Sequence, residues 1–530
     1  FEDLESLSPA PGVYPFSVIE PLWSGEAVVQ RHVAIPGNKQ IRLSERDHHT
    51  GRRVNLHQPG GSVFARTLSL PPHQSPDGKA KPVETQVLHH TGEAWNGYSY
   101  RWNEDGTDAE LVPREGADEE IPTRDGVLPW RFHSRAECSR CHGKWSGVTL
   151  AFVPWQLDGA NRERFLDLGL IDRKFAEEAD RLSLASSRDE EAPLDLRARS
   201  WLHANCAHCH QYQAGGSVAI RLHAKHDTSD IAALGEEPIQ HHFGIPEARV
   251  VAPGEPFRSV LYYRVATEGS GRMPQLGHWG TDPEGLRVLR EWIASLELPG
   301  GEARAVDPST SEAPVIEALN LQAKLDAGEE EVAAAKEQIQ HYLASGPPET
   351  TGLFLRFLDP DDRPDLVGAR PDRAAILGRV GDPEAGAALF ESKAAACLAC
   401  HRVDDRGIAW GPDLTALSAT ATRESLLESL IDPSAAIAAP YRLETVATEE
   451  GDTFSGFVRD EEADTIQVHP AGGLEPVSIP GESILSRTPS PVSAMPTGLV
   501  ATFTHEELAD LIAFLLQRNT DTESSPSIQP

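Results

Sequence analysis

The chain has 530 residues and carries 81 Asp and Glu against 48 Lys and Arg, a net charge of −33. That length suits about three or four domains with real cores. The acidity argues against nucleic acid as a partner and for a basic partner or salty surroundings. No apolar run approaches the roughly 20 residues of a membrane span. The chain starts at Phe1 rather than Met, so a targeting segment is expected to have been removed or cut away.

In chain order, residues 1–165 are predicted to form a β-rich domain. Runs such as Ser62–Leu68 and Gln86–His90 are short and β-prone, and clusters such as Pro59-Gly60-Gly61 and Glu104-Asp105-Gly106 separate them. Alternation along Trp95–Trp102 puts Tyr98, Tyr100 and Trp102 on one face. The motif Cys138-Ser139-Arg140-Cys141-His142 closes this part. From Leu194 the period becomes helical, with Leu194, Arg197, Ala198, Trp201 and Leu202 leading into Cys206-Ala207-His208-Cys209-His210. Arg272-Met273-Pro274 follows. Then Thr281-Asp282-Pro283 opens a second helix, Asp as N-cap and Pro at N1. Residues 190–298 thus run helix, motif, Met, helix.

Residues 299–375 are predicted to be a linker with a helical spacer. Residues 299–311 are rich in Gly, Pro, Ser and charge, and Ala313 to Leu343 reads as a helix solvated around Glu329-Glu330-Glu331. Residues 376–518 repeat the earlier order. Gly381-Asp382-Pro383 starts a helix towards Cys397-Leu398-Ala399-Cys400-His401. A helix from Arg423 to Ile431, a strand-like insertion over 442–488 and Ala494-Met495-Pro496 follow. Thr504 and Glu507 make a capping box for the last helix. Residues 519–530 are expected to be a disordered tail. The fold class expected is α+β multidomain. A β-rich N-terminal domain with one motif precedes two mainly α domains in the order of a class I cytochrome c, the last with a β-insertion.

The chemistry lies in the motif Cys-x-x-Cys-His, which attaches a c-type haem through two thioethers and supplies the proximal histidine. It occurs three times and uses all 6 cysteines of the chain. Zinc is the competing reading, since Cys-x-x-Cys supplies two thiolates at knuckle spacing. Zinc, like a thioredoxin-type dithiol, leaves unexplained the histidine after each second cysteine. Three covalently bound haem c groups are therefore expected, on Cys138, Cys141, Cys206, Cys209, Cys397 and Cys400, with His142, His210 and His401 as iron ligands. The chain has 2 methionines, Met273 and Met495, each followed by Pro downstream of a motif. Both are candidates for the sixth ligand of their haems, although a methionine is also ordinary core filler. The first haem then has no methionine, and a histidine is the substitute. His90 is preferred over its neighbour His89, with His133 and His32 in reserve. No catalytic residue is assigned.

Residues from roughly 10 to 297 resemble a family of cytochrome c-like proteins usually regarded as dihaem. The matching residues are Pro21-Leu22-Trp23-Ser24, Glu84-Thr85-Gln86-Val87-Leu88, Trp95 to Asn103, Gln156-Leu157-Asp158, Asn205 to His210 and Ser259 to Arg264. Residues from about 381 to 517 resemble the haem-binding cytochrome c domain common in planctomycetes, which carries a β-insertion between its haem motif and its Met-Pro. The resemblance implies haem attachment and a location outside the cytoplasm more than a particular reaction. The leading expectation is a trihaem cytochrome transferring electrons between redox proteins, basic or membrane-associated, in the periplasm or outside the cell. One alternative is a peroxidase-like haem enzyme with an open first iron fed by the other two. Another is a cytochrome subunit that docks a larger redox complex. Imidazole donates more to ferric iron than thioether does, so the first haem is expected to have the lowest potential and to be the entry site.

Overall fold

Among the described residues ten strands precede the first helix. In the computed structural model they are β1 (Val13–Phe16), β2 (Val28–Ala34), β3 (Arg42–Arg46), β4 (Arg53–His57), β5 (Val63–Leu70), β6 (Lys81–His90), β7 (Trp95–Trp102), β8 (Ala109–Leu111), β9 (Ala117–Thr123) and β10 (Gly126–Phe132). The structure describes residues 2–520 except 4–6, 47–52, 144–145, 212–217, 219, 240, 270, 278–279, 298–312, 360–361, 365, 368–370, 393–396, 418–419, 450–451, 463, 471–474, 497 and 502. The expected linker at 299–311 and residues 521–530 of the expected tail lie outside the described residues.

Six strands form an antiparallel sheet in the order β1-β2-β5-β6-β7-β8. One row across it reads Arg31, Arg66, Gln86, Ser99. Side chains two residues along each strand share that face. They include Val33, Phe64, Leu88 and Trp95, which pack with Phe152, Phe165 and Phe175. The fully buried Glu84 lies on this face too. It accepts from Ser99 Oγ at 2.6 Å, Gln86 Nε2 at 3.0 Å and Trp130 Nε1 at 2.9 Å. The opposite face buries the Thr67–Thr85 hydroxyl pair, and Trp102 Nε1 donates to Thr85 Oγ1 at 2.8 Å.

Helices follow: α1 (Arg135–Cys141), α2 (Gly159–Asp167), α3 (Arg173–Glu178), α4 (Leu194–Asn205), α5 (Val260–Ala266) and α6 (Pro283–Ser295). As expected from Asp282-Pro283, α6 begins with Asp as N-cap and Pro at N1. The Asp282 carboxylate, however, turns from the helix to accept from Trp201 Nε1 at 2.8 Å. Helices α4 and α6 cross closely at Gly285, where a Cβ would lie 2.4 Å from Trp201 Nε1.

Next come α7 (Pro314–Asp326), α8 (Val332–Ser345) and α9 (Pro348–Phe354). The expectation of a solvated spacer here gives way. Val315, Leu319, Ile339, Tyr342, Leu353 and Phe354 are buried in the same core as Trp201, Tyr263 and Trp292. Gln322 Nε2 donates to the Ala266 and Leu353 carbonyls at 2.8 and 2.9 Å. The run Glu329-Glu330-Glu331 sits in the turn between α7 and α8, so its charge marks a helix end and not a solvated helix face.

The last part contains α10 (Arg373–Gly378), α11 (Pro383–Glu391), a two-strand ribbon of β11 (Arg402–Val403) and β12 (Arg406–Gly407), and α12 (Arg423–Ile431). Residues 442–488 form a five-stranded sheet of β13 (Glu444–Thr448), β14 (Thr453–Glu462), β15 (Thr465–His469), β16 (Val477–Pro480) and β17 (Ile484–Pro489). The final helix is α13 (His505–Thr520), and its capping box is present: Thr504 N donates to Glu507 Oε2 at 2.7 Å and Glu507 N to Thr504 Oγ1 at 3.1 Å. Gly386 lets α11 lie against α13; a Cβ there would reach 2.0 Å from the Asp510 carbonyl oxygen. The chain is thus α+β, with a core of its own between α11, α12 and α13. Among the described residues no helix is long and apolar enough to cross a membrane.

The N-terminal segment is tied to the helical part by buried polar contacts. Trp23 N donates to Asn205 Oδ1 at 2.9 Å. Glu20 accepts from Ser187 N at 2.7 Å and Ser187 Oγ at 2.9 Å, and its backbone pairs with the Gln156 amide. Burial pushes the Glu20 carboxyl from 4.5 up to about 7, outweighing the lowering by Ser187. A carboxyl whose folded pKa is raised favours folding while protonated, and that contribution is lost as pH rises from about 4.5 through about 7. Glu20→Gln should therefore leave stability at pH 5 nearly unchanged and raise it at pH 8, by up to about 3 kcal/mol. Urea unfolding at the two pH values checks this. An equal effect at both would mean that the Glu20 carboxyl is not raised by the fold.

Candidate functional site

All three Cys-x-x-Cys-His stretches close the same helical turn. The carbonyl of the first cysteine accepts from the histidine N–H: Cys138 from His142 at 3.0 Å, Cys206 from His210 at 2.9 Å and Cys397 from His401 at 2.9 Å. One turn closed i to i+4 puts the first cysteine and the histidine on the same side, with the second cysteine one residue before the ring. The local reasons differ. The first motif is the end of α1, capped by a Ser134/Glu137 box. The second leaves α4 at its C-terminus. The third follows α11 in a separate turn.

The histidine rings are held from behind. His142 Nδ1 donates to the Val148 carbonyl at 2.6 Å, and His401 Nδ1 to the Pro412 carbonyl at 2.8 Å. A proton fixed on Nδ1 leaves the Nε2 lone pair for a metal. His210 Nδ1 is buried and has no such acceptor among the described residues. Burial pushes His142 and His210 down to about 4 and lowers His401, so each ring is neutral at pH 7 and able to coordinate. Two glycines make room. A Cβ on Gly97 of β7 would lie 2.5 Å from Cys138 Cβ, and one on Gly411 would lie 2.8 to 3.2 Å from three atoms of the His401 ring. The β-insertion supports that second loop, since Trp410 stacks with Phe457 of β14 at 6.3 Å between centroids.

The first motif touches the second motif and the loop that carries Met495. The Cys141 and Cys209 thiols are in hydrogen-bonding contact. Arg140, inside the same motif, donates to the carbonyls of Ser493 and Met495 at 2.8 and 2.6 Å. Met495 packs on the core that also receives Cys397 and Leu398. Met273 lines a small pocket with Trp23, Trp201, Val265 and Arg272. Its N–H donates to the carbonyl of Arg264, whose charge acts on His210.

For the first motif, strand register separates the two neighbouring histidines. His90 pairs with Trp95 and His89 with Asn96. Trp95 is two residues from Gly97, so His90 shares the face on which Cys138 packs, and His89 points the other way. The His90 ring stacks on Trp95 at 4.7 Å, and its Nδ1 is buried with no partner among the described residues. His32, paired with Ala65, lies on the far face from Arg31. His133 precedes the cap of α1, and its charge acts on Glu137.

Sequence reasoning missed a second histidine group. His203 and His223 lie 4.4 Å apart between ring centroids, beside Trp155. Burial lowers His203 to about 4 and His223 well below its ordinary value. Trp155 Nε1 donates to His203 Nε2 at 3.2 Å and Lys225 N to His223 Nδ1 at 3.2 Å, so these nitrogens are already accepting hydrogen bonds. The one signal in the sequence is the position of His203, three residues ahead of Cys206. Arg140, Val148 and Pro412 were missed too, because they act through backbone carbonyls.

These features fit covalently held haem: paired thiols on one turn, a neutral imidazole beside them and a fixed Nδ1 proton at two sites. A four-thiolate zinc site would need Cys138, Cys141, Cys206 and Cys209 together. Among the described residues no three His, Cys, Asp or Glu side chains converge as a metal-ion site. Gly411→Ala should disturb ligation at His401, because the added carbon must displace the ring or its loop at a cost of about 1–3 kcal/mol. The expected readout is easier displacement of the native ligands by added imidazole at one site. Gly378→Ala, where a Cβ meets nothing within 4 Å, is the control and should behave as wild type.

No curated protein matches the sequence. Residues 383–466, from the start of α11 through the third motif into β15, match the Cytochrome c family, and this stretch is a cytochrome c domain, the kind that holds haem c covalently and transfers electrons.

Proposed function

We propose that the chain is a three-haem c-type cytochrome that carries electrons between redox partners outside the cytoplasm. The observation that carries this reading is the position of the first motif, in contact with the second through Cys141 and Cys209 and with the Met495 loop through Arg140. Each haem would supply one-electron iron chemistry. The chain's part is to space and orient the sites. His142, His210 and His401 supply the proximal nitrogen, and Met273 and Met495 the thioether opposite His210 and His401. His90 is the sixth ligand assigned to the first site, supported by the shared face of His90, Gly97 and Cys138. In this arrangement the first site is the middle of the path, in place of the entry point read from ligand chemistry alone. Export is part of the proposal, since cytochrome c domains are matured outside the cytoplasmic membrane.

A haem enzyme with an open iron at the first motif is the second reading. It draws on one feature, the pair of arginines Arg31 and Arg66 on the face that carries Cys138. Carbon monoxide separates the two. The electron-carrier reading expects no rapid binding to the reduced wild-type protein and binding at one haem in His90→Ala. Rapid binding by the wild type would favour the enzyme.

The haem count is read from intact mass, which should exceed the polypeptide by three haems. An excess of two would remove a motif from the account. Met273→Ala and Met495→Ala should each abolish part of the near-infrared methionine-to-ferric-iron band and lower one potential, because thioether sulfur favours ferrous iron. The double variant should lose the band entirely. A full band in either single variant would make that methionine packing only.

A further inference from the structure

We infer that Arg31 and Arg66 form an anion-binding site, for a carboxylate or another oxyanion, beside the first Cys-x-x-Cys-His motif. The two residues are directly opposite each other on β2 and β5. Like charges placed so on neighbouring strands repel and are unfavourable without a counter-charge. Among the described residues neither guanidinium forms an ion pair. Arg66 Nε donates to Gln86 Oε1 at 2.7 Å, which leaves the other Arg66 donors for a partner. The carboxylate within electrostatic range of Arg66 is Glu84, whose oxygens are already engaged by Ser99, Gln86 and Trp130.

The direction of the site follows from register. Arg31, Arg66, Gln86 and Ser99 form one row, and Gly97 is two residues from Ser99. The arginines therefore share the face on which Cys138 packs against Gly97. The Arg66 charge acts on Cys138, Cys141 and His142. Burial lowers Arg31 to about 10, with Arg66 as a further cause. Two crowded cations persist there in a chain of net charge −33, where carboxylates are abundant elsewhere. Paired guanidinium forks on adjacent strands match the planar geometry of carboxylates and oxyanions.

Two sources supply that chemistry: the propionate carboxylates of a haem bound at His142, or a free oxyanion. The inference deepens the proposed function, since both place the positive pair beside the first iron, where it should favour the reduced state. The experiment is a redox titration of the full-length holoprotein, its haem content fixed beforehand by intact mass. Arg31→Gln and Arg66→Gln should each lower the potential of one haem and leave the other two in place, and Arg66→Lys should recover most of the loss. If propionates fill the site, phosphate, nitrite and sulfite leave the wild-type potentials unchanged. If a free oxyanion fills it, one of the three shifts a single potential saturably, and the effect disappears in the Gln variants. Three haems by mass, unchanged potentials in both Gln variants and no anion effect would overturn the inference. Two haems by mass, with the first motif vacant, would instead overturn the three-haem reading.

Discussion

The structure depends on one backbone constraint, the turn in which the carbonyl of a first cysteine accepts from the N–H of a histidine four residues later. It appears at all three motifs with nearly the same length. The turn places the thiols and the imidazole, but it does not set the angle of the ring. That angle needs an acceptor behind Nδ1 and free space beside it. At His401 the Pro412 carbonyl and the bare backbone of Gly411 supply both. The five-stranded insertion then has a physical purpose, because it packs on Trp410, the residue before Gly411.

Much of this was legible in the sequence where local chemistry dictates it. The Asp-Pro helix starts, the Thr504–Glu507 box, the aromatic strand and the strands of 442–488 all depend on neighbours in sequence. The solvated spacer was misread for a specific reason. Its charge run suggested a polar helix, but the charges gather at a turn, and Leu319, Ile339 and Phe354 reach a core assembled from distant residues. For the candidate site, composition identified the cysteines, histidines and methionines. His90 was already preferred to His89 from the sequence; the register of β6 on β7 adds that His90 shares the face of Gly97 and that His89 points the other way.

What stayed hidden was contact through backbone carbonyls, and arginine accounts for much of it. Arg140 donates to Ser493 and Met495, Arg264 to Gly271, and Arg272 to Gly280. These acceptors lie in or flank the two Met-Pro segments. A carbonyl can belong to any residue, so such a bond leaves no signature to read. Its effect is to fix loops that have little regular structure of their own.

The same bonds bear on how charge is distributed. An arginine paired with a carboxylate is neutralised, whereas one paired with a carbonyl keeps its positive charge. Burial lowers the pKa of Arg140, Arg264 and Arg272, a sign that these charges lie in poorly hydrated surroundings. Arg31 and Arg66 belong to the same set. Most carboxylates lie towards solvent; among the described residues Glu20, Glu84, Glu137, Glu178, Asp282 and Asp452 are buried, and Glu20 and Glu84 are each held by several donors. Half-buried arginines close to the motifs, in a chain that is acidic as a whole, serve two needs at once in the proposed electron carrier. Fields from nearby arginines favour the electron on the iron, and the outer carboxylates attract a basic partner over distances limited by salt screening. Each need is met by residues that the other leaves free.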